Sequence, residues 1–319
     1  MKKVNSVLEL IGNTPLIKLG KNSPRSSADV FVKAEYFNPS GSLKDRIAIE
    51  MIRRAEAEGK LKQGYTIIEA STGNTGIALS FVGSQLGYNV AIYMPEGMTP
   101  ERIRIMESYG AEVHEIKPET LKARDDSVAG AEVEIPTRTM CLEIERSNSK
   151  VWWARQFSNP ANVEAHIKTG EEILQQMDYK VDAFIASVGT GGTLFGIAKA
   201  LKKKLPDVKI IAVEPASTAY SLLSGHRKIP GASEEVSGGI IAEIVDSGIV
   251  DEIVQVTNDE AIGMADKLVL EEGLFAGVSA GANVQIAIRE AKKLESGKRV
   301  VTILPDSRDR YLTEKKYTT

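Results

Sequence analysis

Apolar residues along the chain fall into short, nearly unbroken runs separated by longer stretches with helical periodicity. The runs DVFVKAE (29–35), TIIEA (66–70), NVAIYMP (89–95) and AEVHEI (111–116) read as strands in the first half. AFIASVG (183–189), KIIAVEP (209–215) and RVVTILP (299–305) read as strands in the second. Between them, NTGIALSFVGSQLG (74–87), TPERIRIMESYG (99–110) and TLFGIAKALKKK (193–204) carry helical spacing, and the first two stop at a glycine. Strands apolar nearly throughout, each followed by a helix, predict an α/β protein with open, mostly parallel sheets covered by helices on both faces. GHRKIPGASEEVSGGIIAEIV (225–245) reads as loop-rich, and a domain change is expected near residue 150.

Composition narrows the class. A chain of 319 residues with 42% apolar content can bury a large core in one large or two modest domains. A net charge of −3 gives no general attraction to nucleic acid or to acidic membranes. The single cysteine, Cys141, excludes a disulfide framework and a Cys-based zinc site, and within the helical TMCLEIER it reads as a buried structural thiol. The start, MKKVNSVLELIG, lacks the apolar run of a signal peptide, so a soluble cytoplasmic protein is expected.

The segment NPSGSLKDR (38–46) places a lysine where the helix dipole would favour a carboxylate. Ser42 is expected as the N-cap, with Asp45 completing a capping box, which leaves Lys44 in the first turn. Taken locally, Lys44 is a solvated lysine, a phosphate ligand or an activated amine.

Two further loops narrow the choice. EASTGNTGIALS brings Ser71, Thr72, Gly73, Asn74 and Thr75 to a helix start after a strand. Hydroxyls, an amide and free N–H groups there suit a carboxylate, whereas a cap alone needs one such residue. SVGTGGTLFGIAKA sets Gly189, Thr190, Gly191, Gly192 and Thr193 between a strand and a helix. The glycines are equally a tight turn or a phosphate cradle. They form neither a dinucleotide fingerprint, since Leu194 takes the last glycine position, nor a Walker loop. With a phosphate cradle already supplied, Lys44 is left to be a nucleophilic amine. A lysine of that kind, a phosphate cradle and a carboxylate loop together point to pyridoxal 5′-phosphate and an amino-acid substrate.

These segments, with IGNTPLIKL, QFSNPAN, AGVSAGAN and LPDSRDRYLT, closely resemble the cysteine synthase and cystathionine β-synthase family of fold-type II pyridoxal-phosphate enzymes, almost end to end. The resemblance implies a tryptophan-synthase-β-like fold. Residues 45–150 would form a smaller mobile domain, and 1–44 with 151–319 a larger one holding the phosphate loop. Lys44 would carry the cofactor, Asn74 would bond its ring hydroxyl, and Gly189, Thr190, Gly191, Gly192 and Thr193 would hold its phosphate. Ser279 would face the pyridine nitrogen, where a neutral hydroxyl favours loss of a β leaving group. Ser71, Thr72, Gly73 and Thr75 would take the substrate carboxylate, Gln156 matches the family's substrate-side glutamine, and His166 matches a histidine that some members carry near the substrate. No metal is implied.

The implied activity is replacement of the acetate of O-acetyl-L-serine by sulfide, in a cytoplasmic homodimer that could pair with a serine acetyltransferase. Use of O-phosphoserine, or of serine with homocysteine, is the enzymic alternative, and a cofactor-binding regulatory partner the non-enzymic one. Departures from the family pattern concern the donor. Ser71-Thr72 reverses the usual Thr-Ser, Arg155-Gln156 replaces paired glutamines, and HIKTGEE lacks a doubled threonine. Loop 225–239 is unlike the usual entrance loop, and its Arg227 and Lys228 could neutralise a donor phosphate, with Glu234 and Glu235 close by. No heme-binding extension or regulatory tandem module is seen, so an elaborated cystathionine β-synthase is not expected.

Overall fold

The computed structural model describes residues 3–23, 26–117, 135–216, 223, 236 and 238–313. Its strands form two sheets. The larger contains β1 (Leu16–Lys18), β2 (Asp29–Ala34), β7 (Ala183–Ser187), β8 (Lys209–Pro215), β9 (Glu252–Val256) and β10 (Arg299–Leu304), in the order β1-β2-β10-β7-β8-β9. Only β1 runs antiparallel to its neighbour. The smaller contains β3 (Thr66–Ala70), β4 (Asn89–Pro95), β5 (Glu112–Ile116) and β6 (Val151–Trp153), in the order β5-β4-β3-β6 and all parallel. The chain's early strand β2 pairs with its last strand β10, from Asp29 opposite Arg299 to Ala34 opposite Leu304. This pairing brings the loops that follow both strands to the same edge.

The helices are α1 (Lys44–Ala57), α2 (Asn74–Gln85), α3 (Pro100–Ser108), α4 (Ile135–Ser147), α5 (Pro160–Gln176), α6 (Gly192–Lys204), α7 (Gly239–Ser247), α8 (Asn258–Lys267) and α9 (Val278–Ala291). Strands buried on both faces, such as Ile67 to Ala70 and Ala183 to Ala186, require a helical layer on each side. Helix α5 serves both halves. Its Ala161 and Ala165 join the core of α1, α2 and β4, while Val163, Ile173 and Leu174 join the core under α6 and α7. Asn159 caps α5 by accepting from the Ala161 amide at 3.0 Å, and Pro160 follows as its first residue. That capping geometry explains SNPAN as a helix start.

IGNTPLIKL also acquires a structural meaning. Thr14 Oγ1 donates to Glu35 Oε1 at 2.6 Å, and the Gly12 amide to Asn38 Oδ1 at 2.9 Å. Arg46, buried, bonds Glu35 and Glu172, and Lys33, wholly buried, bonds Glu172 and the Thr14 carbonyl at 2.7 Å each. The buried ions are paired, as burial demands. This cluster fixes the angle at which α1, and Lys44 with it, leaves the larger sheet.

Two expectations change. Helix α7 occupies 239–247 within the stretch read as loop-rich, with Ile240 and Ile244 buried one turn apart. The rest of 225–239, apart from Val236 and Gly238, lies outside the described residues, and Arg227, Lys228, Glu234 and Glu235 lie there too. Ser42 and Asp45 form no capping box. Leu43 holds the cap position of α1, the Lys44 amide reaches Ser42 Oγ at only 3.3 Å, and the Asp45 carboxyl turns back to the Ser40 amide at 2.7 Å. The Ser40 hydroxyl also donates to Asp45. The carboxyl therefore braces the loop before the helix.

Candidate active site

The site lies at the carboxyl ends of the parallel strands, where the following loops start helices. Strand β2 leads through residues 35–43 to Lys44, β3 to the 71–75 loop, β7 to the glycine loop, and β10 to Pro305–Tyr311. Lys44, Asn74, Gly189, Thr190, Gly191, Thr193, Ser279, Asn283, Asp306 and Tyr311 share one cleft of about 170 Å³. Three segments far apart in sequence and expected to meet do so.

The glycine loop is built for close approach. Gly191 adopts φ +87°, a left-handed backbone in which a side chain would also strike Ile241 and Ile244. Gly192 opens α6, and a Cβ there would fall 2.0 Å from Asn162 Oδ1. Asn162 needs that proximity, since its Nδ2 donates to Thr190 Oγ1 at 3.1 Å and to the Gln156 carbonyl at 2.7 Å. The first-turn amides of α6 have no acceptor inside the helix, and they carry the positive end of its dipole.

The cleft fits the cofactor that the sequence implies. An added Cβ at Gly189 would meet nothing within 4 Å, which leaves open space at the mouth of the cradle. Amides at a helix start suit a phosphate, Lys44 supplies an amine and Ser279 a neutral hydroxyl on the same cleft. Gly192 contributes as the packing residue beneath the cradle.

The 71–75 loop borders this cleft through Asn74. Its other residues are committed to their surroundings. Ser71 Oγ accepts from the Gly73 amide at 3.2 Å and the Gly76 amide at 3.0 Å. The Thr72 carbonyl accepts from Arg102 Nη1 at 3.1 Å, and Gly73 lies against the Arg102 side chain. Thr75 Oγ1 donates to Gln156 Oε1 at 2.5 Å, and Gln156 Nε2 donates to the Ala70 carbonyl at 3.0 Å. The loop and Gln156 are thus brought together as expected.

His166 lies against the glycine loop, near enough to Lys44 to feel its charge. It is completely buried under α6, where Nε2 and Thr193 Oγ1 lie 3.1 Å apart and Nδ1 and Thr169 Oγ1 lie 3.3 Å apart. Burial first, then the positive charges of Lys44 and Arg46, hold its basicity well below the usual value, so the ring is neutral. It supports the glycine loop through Thr193. Arg155 pairs with Glu145 and lies over Trp153, in a left-handed backbone at φ +56°.

Some site residues carried no individual expectation: Asn162, Asn283, Asp306, Arg310 and Tyr311. They lie inside QFSNPAN, AGVSAGAN and LPDSRDRYLT, and the signal for the last three was their position just past the carboxyl end of β10. Among the described residues no cluster of His, Cys, Asp or Glu could hold a metal, and no helix is long and apolar enough to cross a membrane.

Comparison with known proteins agrees with this geometry. The family pattern described as "Pyridoxal-phosphate dependent enzyme" matches residues 7–306. A cysteine synthase of Staphylococcus aureus is 42% identical over 318 residues, covering 99% of this chain and 98% of its own. The crystal structure of a cysteine synthase from Entamoeba histolytica matches with a TM-score of 0.84 at 36% identity, over 99% of this chain and 91% of that one. That of an O-ureido-L-serine synthase matches at 0.86 and 32% identity, over 99% and 96%.

Proposed function

Because the chain belongs to the pyridoxal-phosphate dependent enzymes, we propose that it is a cysteine synthase, replacing the acetate of O-acetyl-L-serine with sulfide to give L-cysteine. The observation that carries this reading is the convergence of Lys44, the glycine loop, Asn74 and Ser279 on one cleft beside the 71–75 loop. When bound there, the cofactor supplies an aldehyde for an amine and a ring that accepts electrons from the substrate's α-carbon.

The chain's own residues divide the remaining work. The amides of Gly189 to Thr193 would anchor the phosphate, with Thr190 steadied by Asn162 and Thr193 by neutral His166. Ser279, an uncharged partner for the ring nitrogen, would leave the ring a weak electron sink and so favour loss of the β leaving group. Ser71, Thr72, Gly73, Thr75 and Gln156 would orient the donor's carboxylate. Lys44 Nζ would take the donor's α-proton and return it after acetate has left and sulfide has added.

The assembly is read as a cytoplasmic homodimer, with serine acetyltransferase as a candidate partner. Residues 45–150 would move as a smaller unit against 1–44 and 151–319. Strand β6 pairs with β3, which supports carrying that boundary past Trp153, so that Val151–Trp153 would travel with the smaller unit. Steady-state rates with O-acetylserine, O-phosphoserine and serine, each with sulfide, test the donor. The reading expects the acetyl donor to give the highest kcat/KM. A higher value for either of the others overturns it.

A further inference from the structure

Asn74 is gripped at both ends of its amide by residues that follow β10. Arg310 Nη1 donates to Asn74 Oδ1 at 2.5 Å, and Asn74 Nδ2 donates to Asp306 Oδ2 at 2.6 Å. A guanidinium can only donate, so the amide's oxygen must face Arg310 and its nitrogen must face Asp306. Both grips are themselves held. Arg310 also donates to the Ser40 carbonyl, in the loop before Lys44. Tyr311 donates its hydroxyl to Asp306 Oδ2 at 2.5 Å, and the Gly277 amide donates to the Asp306 carbonyl at 3.0 Å. Asp306 and Arg310 are 1% and 2% exposed, so water does not compete for these bonds.

The consequence concerns what Asn74 shows to the cleft. Its carbonyl oxygen is engaged and one N–H is engaged, which leaves the second N–H as its free polar function. We propose that Arg310 and Asp306 are positioning residues that fix Asn74 as a hydrogen-bond donor toward the cofactor's ring oxygen. The inference rests on the reading that Asn74 meets that oxygen. A donor stabilises the ionised oxygen, whereas a flipped amide would present an acceptor and stabilise the protonated one. Arg310 bonds Ser40 as well as Asn74, so one side chain sets this donor and braces the loop leading to Lys44.

The test uses the absorbance of cofactor-loaded enzyme, because the ionised and protonated ring-oxygen forms absorb in the visible and near-ultraviolet respectively. Arg310→Met keeps side-chain length without a donor, Arg310→Lys keeps a donor, and Asp306→Ala removes the acceptor. Arg310→Met and Asp306→Ala should each raise the near-ultraviolet to visible ratio about tenfold, the change that one unit in the oxygen's pKa produces. Arg310→Lys should restore most of the wild-type ratio. Asn74→Ala should shift the ratio as well, and adding Arg310→Met to it should change nothing more. Should Arg310→Met fail to fold, Asp306→Ala alone decides. Wild-type spectra in Arg310→Met or Asp306→Ala, with Asn74→Ala altered, overturn the inference, as does an additive double variant. A wild-type spectrum in Asn74→Ala instead overturns the reading that Asn74 meets the ring oxygen.

Discussion

Thr75 Oγ1 donates to Gln156 Oε1 at 2.5 Å, and both side chains are buried. The pair joins the loop after β3 to the segment after β6, and it occupies the hydroxyl proton that a substrate carboxylate would seek. Gln156 has one N–H beyond the bond to Ala70. A donor carboxylate that reaches this pair would therefore use that N–H or displace Thr75 from Gln156.

Gln156→Ala should weaken the donor and spare the cofactor. A hydrogen bond to a charged group contributes about 1.5–3 kcal/mol, so kcat/KM for the amino-acid donor should fall roughly 10- to 150-fold. KM should carry much of the change, and cofactor content should match wild type. Steady-state kinetics alongside cofactor quantitation check this outcome. Loss of cofactor with an unchanged donor KM would place Gln156 on the wrong side of the site.

The glycine loop gives a paired prediction. Gly192→Ala drives a methyl group into Asn162 Oδ1 and should cost about 1–3 kcal/mol of stability, in the range of overpacked cores. Gly189→Ala points into open space and should leave the melting temperature of cofactor-free protein unchanged. Both should bind cofactor more weakly, the second because its methyl group occupies the cradle. Thermal melts of the cofactor-free protein and cofactor titration separate the two effects. Equal melting losses in both variants would contradict the packing described.

Asp45 sets a pH dependence. Burial pushes its carboxyl up to about 6, against the opposing effect of its hydrogen bonds to Ser40 and of Arg310. In the unfolded chain the same group releases its proton near the ordinary value of 3.8. Between these values the folded state binds more protons, so this group's contribution to stability is full below pH 4 and is lost as pH rises through about 6. Asp45→Asn should remove that slope. Denaturant midpoints of wild type and variant from pH 4 to 7 measure it as a difference. An Asp45 contribution that grows with pH would contradict the burial argument.

The strands that the hydrophobic pattern did not reveal are β1, β6 and β9, and each is an edge strand of its sheet. An edge strand needs only one neighbour and keeps partial exposure. LIK and VWW are only three residues long, too short to stand out as strands, and EIVQV buries only Val256. Central strands such as TIIEA, buried along nearly their whole length, stood out for the opposite reason. The stop signals of α2 and α3 were legible because Gly87 and Gly110 adopt positive φ. The cap of α1 was not, because Ser40, five residues before Asp45, competes for the carboxyl that a box would use.

The candidate site shows the same division. Lys44, the 71–75 loop and the glycine loop were legible from residue chemistry at strand-to-helix turns, whereas the roles of Asn74 and Ser279 came from the family resemblance. Asp306, Arg310 and Asn162 act on those residues through tertiary contacts 232, 236 and 28 positions away in sequence, which no local pattern encodes. His166 was visible as a histidine, but the burial that makes it neutral belongs to the fold.

The central claim is that Lys44 is the amine of this site. Borohydride reduction of the cofactor-loaded protein, followed by peptide mass spectrometry, tests it most directly. The account predicts a single pyridoxyl group on the peptide containing Lys44, and none on Lys33 or on the exposed lysines of α6. Loss of that label in Lys44→Ala should leave cofactor retained only weakly, through the phosphate cradle. A pyridoxyl group on any other lysine of the wild-type protein would contradict the account.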